Sequence, residues 1–295
     1  MAVNNSLVKK SNQKLGITAY LTADAVKNQI NSVVGGKDGQ KFISAIVSAV
    51  NANPALQECT NQSILSGALL GESLKLSPSP QLGQYYLVPY NDRELGKVAQ
   101  FQMGYKGYIQ LAIRSGQYKK LNVIAIKAGE LEYFDPLNED IKINLMIDSW
   151  DEREAAETIG YYAMFELVNG FRKAIYWSKK QMESHALKYS PGYASDKRKG
   201  TAYTFWSKDF DSMAYKTMLR QLISKWGVMS IELRNAFESD MGVINDDGTV
   251  NYVENDDDVI DMSVEEPQPE QTQQEHPQQE QPQEQNDAQA VLFGK

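Results

Sequence analysis

Tyr85-Tyr86-Leu87-Val88-Pro89-Tyr90, Lys97-Val98-Ala99-Gln100-Phe101-Gln102-Met103 and Gly104-Tyr105-Lys106-Gly107 form the passage that decides the fold. The first two segments have strand character and flank the turn-rich Asn91-Asp92-Arg93-Glu94-Leu95-Gly96, so they read as a hairpin. The third opens a helical run, Tyr108 to Arg114, which ends at Ser115-Gly116. Upstream the spacing is helical. Phe42, Ile43, Ile46, Val47 and Val50 share one stripe that Pro54 stops, and Ile64, Leu65, Ala68, Leu69 and Leu74 form a second. Downstream, Leu121 to Lys127 reads as a strand. Gly160–Val168 and Phe171–Trp177 read as a hairpin around Asn169-Gly170, and Ser178 begins a helix. A long helix is expected from about Lys208 to Trp226, closed by Gly227, with Lys216 and Arg220 on one face. Strands mixed with helices, without regular alternation, imply an α+β fold. Its centre would be a small antiparallel β-sheet with a crossing helix, a β-β-α-β type core flanked by helices.

Charge divides the 295 residues unevenly. The chain carries a formal net charge of −8, but residues 241–295 hold 14 Asp/Glu and one Lys, leaving the first 240 residues mildly basic. Between Arg172 and Arg234 there are 13 Lys/Arg against 5 Asp/Glu, interleaved with aromatic residues such as Tyr176, Trp177, Tyr203, Phe205, Trp206 and Trp226. Cations for phosphates beside flat rings for bases suit a single-strand nucleic-acid groove. A solvated charged face is the alternative reading. The expected organisation is a flexible arm over 1–20, a binding and oligomerisation domain over 21–240, and a disordered acidic Gln/Glu/Pro-rich tail over 241–295. Val291-Leu292-Phe293-Gly294-Lys295 restores hydrophobicity at the end, as a docking peptide or as an ordinary terminus.

Cys59 is the one cysteine, so neither a disulfide framework nor a thiolate zinc cluster is expected. With no signal-peptide pattern and no apolar run long enough to span a membrane, a cytoplasmic location is expected. A phosphate loop is missing: Gly96-Lys97 lacks both the upstream glycine and the hydroxyl residue. Of two histidines, His185 and His276, the first reads as a surface or helix-packing residue and not a catalyst. Asp135-Pro136 followed by Asp140-Ile141-Lys142 loosely echoes a divalent-metal nuclease site, and equally suits a turn.

Two blocks carry a likeness to known proteins. One runs Leu76-Ser77-Pro78, Tyr85 to Tyr90, Phe101 to Ile109 and Arg114-Ser115-Gly116. The other is Phe205-Trp206, Asp209 to Thr217 and Leu219-Arg220. Over about residues 20–230 the chain resembles the RecT family of phage-type single-strand annealing proteins. It departs from the family pattern at Phe205 and at Trp226-Gly227, where members often carry proline. The resemblance implies an ATP-independent recombinase, and the expected protein binds and assembles without covalent chemistry and without a cofactor. Such a protein coats single-stranded DNA, oligomerises as a ring or helical filament and pairs the strand into annealed duplex. It also implies a cognate exonuclease and the host single-strand binding protein as partners. The β-β-α-β unit would be the hairpin 85–103, the helix 104–115 and the strand 121–128.

The DNA groove is expected to be lined by Lys106, Arg114, Arg172, Lys197, Arg198, Lys199, Lys216 and Arg220, because phosphate contacts hold a strand without reading it. Tyr105, Phe205 and Trp206 are the expected stacking residues, with core packing the alternative for Trp206. Ser190-Pro191-Gly192 through Lys199-Gly200 is expected to be a basic loop that DNA orders. A divalent-metal nuclease and a passive single-strand coating protein are the competing functions.

Overall fold

The helical stripes are buried where their spacing puts them. The computed structural model describes residues 15–35, 37–92, 95–245 and 247–252. Four helices come first: α1 (Ile17–Thr22), α2 (Asp24–Val34), α3 (Gly39–Ala52) and α4 (Asn61–Ser73), with a 3-10 turn Pro54–Glu58 between the last two. Phe42, Ile43, Ile46 and Val50 of α3 are buried, and Thr60 caps α4 by accepting the Ser63 amide. Then come β1 (Tyr85–Asp92), β2 (Gly96–Met103), α5 (Tyr105–Arg114), β3 (Tyr118–Lys127), β4 (Leu131–Asp135), β5 (Asp140–Ile143) and α6 (Trp150–Ala155). The chain continues through β6 (Thr158–Leu167), β7 (Arg172–Ser178), α7 (Lys179–Tyr189), α8 (Pro191–Lys199), α9 (Phe205–Lys208), α10 (Phe210–Trp226), α11 (Ile231–Ser239), β8 (Gly242–Ile244) and β9 (Val250–Tyr252).

The architecture is α+β with small antiparallel sheets. The first sheet has order β1-β2-β8-β9, the second β3-β6-β7, and β4-β5 form a two-stranded ribbon. The hairpin pairs Tyr85 with Met103 and Asp92 with Gly96. Pro89 is tolerated because β1 is an edge strand, where a missing ladder donor costs least. The strand after the crossing helix does not return to this hairpin. β3 pairs with β6 in the second sheet, and the place beside β2 is taken by β8 through Phe101 and Gly242.

Two further expectations change at the ends. Helix α1 starts at Ile17, inside the expected arm; residues 1–14 lie outside the described residues. Gly242–Ile244 and Val250–Tyr252 are strands of the first sheet, so folded structure runs past position 240. The expected disorder of the later tail, and the apolar tip at 291–295, lie outside the described residues.

Two cores meet along α10. Leu219 and Ile223 pack with the N-terminal helices, the first sheet, α5 and α11. Ala214, Met218 and Leu222, spaced by four along the same helix, pack with the second sheet and α7 to α9. Tyr118, Leu121 and Val123 of β3 touch both.

Candidate nucleic-acid interface

The start of α5 lies directly under the chain that leads into β1. A Cβ on Gly104 would stand 2.1 Å from the Gly83 carbonyl oxygen, and one on Gly107 2.1 Å from that of Gln84, so only glycine fits this approach. The contact sets Lys106, exposed, beside Gly83 and Tyr86. Its ammonium is 6.0 Å from the Tyr105 ring centre, and Tyr105 in turn meets Tyr215 edge-on at 5.6 Å. Phe205, the first residue of α9, packs on Tyr86 at 5.6 Å yet stays 39% exposed. Tyr86, Tyr105, Lys106 and Phe205 therefore form one surface patch of rings around a cation.

Asp196 of α8 fixes the tether that carries Phe205. Its carboxylate is buried and accepts from the hydroxyls of Thr201, Thr204 and Ser207 and from the amides of Tyr203 and Thr204. The Thr201 hydroxyl foremost, then the Thr204 amide, hold its carboxyl far below the usual carboxylate range. Tyr203, held in this loop by its backbone, projects 80% exposed. The other side of α9 faces a cleft of about 400 Å³ lined by Lys179, Lys197, Tyr193, Trp206 and Phe210 among others. Trp206 is buried there against Tyr193 and Phe210, so packing accounts for most of its surface.

The segment 190–200 is a helix instead of a loop. Ser190 caps it by accepting the Tyr193 amide, Pro191 opens it, and Gly200 closes it at φ 67°. Lys197, Arg198 and Lys199 occupy its last turn, where cations also complement the helix dipole. Lys197 pairs with Glu183 at 2.9 Å, which raises the lysine's pKa and lowers the glutamate's. Arg198 and Lys199 are exposed and have no ion pair among the described residues. Arg172 lies in a cross-strand row with Glu166 and Lys120, where Lys119 and Lys120 both pair with Glu166. Arg114, at the far end of α5, donates to the carbonyls of Leu74 and Lys75 and so caps the end of α4.

Lys216 and Arg220, expected in the groove, both pair with Asp240. Lys216 is buried and its ammonium is 2.9 Å from Asp240 Oδ1, while Arg220 reaches Asp240 Oδ2 at 2.7 Å. Asp240 itself is 2% exposed and also accepts from the Tyr108 hydroxyl and the Met103 amide. Burial works against its charge, but Lys216 and Arg220 outweigh it and hold the carboxyl below its usual range. These two cations tie α10 to α5, β2 and the end of α11, and their charge is already matched by Asp240 within the fold.

The acidic residues of the nuclease reading have local partners. Asp135 accepts from the Leu137 and Asn138 amides in the β4–β5 turn, Asp140 from the Tyr133 hydroxyl, and Lys142 pairs with Glu132. Among the described residues no group of three or more His, Cys, Asp or Glu is placed to hold a metal ion. His185 is wedged between Trp177 and Tyr189, and burial, aided by Lys188, pushes its pKa down to about 4. Sequence reasoning passed over Tyr86 and Tyr203 as site residues; Tyr203 sat in the basic aromatic stretch, whereas nothing in Tyr86's strand pattern set it apart.

The RecT family model matches residues 40–284 of this chain. The chain belongs to the RecT family. Among relatives of this RecT-family chain, the "Uncharacterized protein YqaK" of Bacillus subtilis (strain 168) is 39% identical over 241 residues, which cover 80% of this chain and 78% of that protein. "Protein RecT" of Escherichia coli (strain K12) is 28% identical over 228 residues, 76% of this chain and 80% of that one. RecT-family membership makes this a protein of DNA recombination and strand annealing that interacts with single-stranded DNA. Among the described residues no helix is long and apolar enough to cross a membrane. The RecT-like blocks now have physical content. Gly104-Tyr105-Lys106-Gly107 builds the close approach beneath the ring patch, and Lys216 with Arg220 anchors α10 to Asp240.

Proposed function

We propose that this RecT-family protein holds single-stranded DNA along the last turn of α8, α9 and the start of α5, and pairs it with its complement as a homo-oligomer without hydrolysing ATP. The observation that carries the reading is the exposed Phe205 on Tyr86 beside Lys106, on the tether that leaves the Lys197-Arg198-Lys199 turn. Lysine and arginine grip phosphates of any sequence, and rings stack on any base. Base edges are left free to test a second strand.

Lys106, Lys197, Arg198 and Lys199 are the proposed phosphate contacts, with Arg172 extending the basic surface at the edge of the second sheet. Tyr105 and Phe205 are the proposed ring contacts, joined by the exposed Tyr203. Arg114 stays at the margin, since its guanidinium already caps α4. This reading places the protein in the cytoplasm of a bacterial or phage-infected cell, with a cognate exonuclease and the host single-strand binding protein as partners.

Pairing of two labelled complementary oligonucleotides, followed with and without ATP and with and without EDTA, tests the function. Acceleration independent of ATP, with strands intact, is expected. Binding without acceleration would identify a passive coating protein, and metal-dependent shortening of the strands a nuclease.

A further inference from the structure

The segment between β3 and β6 is the acidic counterpart of the basic one that follows it. Residues 130–157 contain ten Asp/Glu and two Lys/Arg, and residues 172–199 contain eight Lys/Arg and two Asp/Glu. The acidic segment also shows apolar side chains to solvent: Ile147 is 68% and Trp150 52% exposed, with Leu145 next to them. Asp148, Asp151 and Glu154 adjoin them in the chain, exposed and without an ion pair among the described residues, while Arg153, 5.1 Å from the Trp150 ring centre, is taken up by Glu130. Exposed apolar side chains beside uncompensated charge of one sign mark an interaction surface.

A surface of matching character exists elsewhere on the same chain. Lys180, Leu187 and Lys188 stand at i, i+7 and i+8 on the outer face of α7, all exposed, while Met182 and Ala186 face the core. Leu187 supplies an apolar centre at 41% exposure, and neither lysine has an ion pair among the described residues. The sign is opposite and the layout alike.

We propose that the Ile147–Trp150 surface of one copy docks on the outer face of α7 of a second copy. Asp148, Asp151 and Glu154 would meet Lys180 and Lys188, with Ile147 and Trp150 against Leu187. The two surfaces are different patches of one chain, so the contact is head-to-tail and repeats along a row of subunits. It deepens the oligomeric annealing reading and rests on it.

Charge reversal tests this on the full chain without DNA. Sedimentation velocity should find the wild type assembled at low salt and dissociated at high salt. A Lys180→Glu/Lys188→Glu protein and an Asp151→Lys/Glu154→Lys protein should each sediment as monomers, and mixing them should restore assembly, because each reversed face then meets its reversed partner. An Ile147→Asp protein should also be monomeric. A monomeric wild type at low salt, or variants that assemble alone as the wild type does, would overturn the proposal. Circular dichroism checks that each variant folds. Binding of a short oligonucleotide, measured on the same Ile147→Asp protein, should persist; its loss in wild type and variant alike would sink the DNA-binding reading instead of the docking surface.

Discussion

Lys216 and Asp240, 24 residues apart, form a buried ion pair with the ammonium 2.9 Å from the carboxylate. Arg220 completes it from one helical turn further along α10. Removing one partner from such a site leaves uncompensated charge in the interior, which costs about 3–5 kcal/mol. Asp240→Ala should lose stability on that scale in urea unfolding. Lys216→Ala should likewise destabilise, yet leave the salt dependence of DNA affinity in the folded protein unchanged. A shallower salt slope in that variant would return Lys216 to the groove.

Lys106 and Phe205 should separate electrostatic from stacking contributions. Lys106→Ala is expected to reduce the slope of log affinity against log salt by roughly 0.7, the share of one single-strand phosphate. Phe205→Ala should weaken binding by about 1–2 kcal/mol at every salt concentration. Fluorescence anisotropy with a short oligonucleotide across a salt series reads both.

Within the last turn of α8, Lys197 is already engaged by Glu183, whereas Arg198 and Lys199 are not paired among the described residues. Arg198→Ala and Lys199→Ala should therefore each lower affinity and slope more than Lys197→Ala does. Equal effects from all three would mean that DNA breaks the Lys197–Glu183 pair.

Asp196→Ala removes the acceptor that gathers Thr201, Tyr203, Thr204 and Ser207. Annealing should slow while the salt slope stays as in the wild type, because ring placement is lost and no phosphate contact is. Emission from Trp206, seated between Tyr193 and Phe210, should shift to longer wavelength as the tether loosens.

His185 gives a pH signature. Burial lowers its folded pKa to about 4, below the ordinary value of about 6.5. The unfolded chain then binds the proton first as pH falls, so this contribution is intact above about 6.5 and is lost progressively toward 4. His185→Phe should flatten that part of the stability profile measured by denaturant titration from pH 7 to pH 4. Asp240, depressed by its cations, adds a separate loss at lower pH that Asp240→Asn would remove.

Elements whose signals lie within a few residues were legible in the sequence. The stripes of α3 and α4, the Asn169-Gly170 hairpin and the Ser178 cap, which bonds reciprocally with Gln181, all follow local rules. The stretch 190–200 obeyed the same rules but was misread. Ser190, Pro191 and Gly200 punctuate a loop and cap a helix with equal economy, and the helix between them is short. Long-range choices left no local trace. Gly242-Val243-Ile244 is too brief to show a period, and its partner Phe101 lies far back in the chain. Lys216 and Arg220 looked like a basic stripe because the carboxylate that neutralises them comes after another helix. For the site, the cations and rings were readable as a set. Their division into surface patch, cleft wall and interior required the fold.

Helix α10 lends one flank to each core, so within the described residues the two cores share a wall and neither can loosen without the other feeling it. Slackening at the Met218 side would be transmitted to Leu219 within a single peptide unit. Amide exchange in the first sheet should consequently speed up when the second sheet's packing is weakened, and a strand tugging on α9 would load the whole body at once.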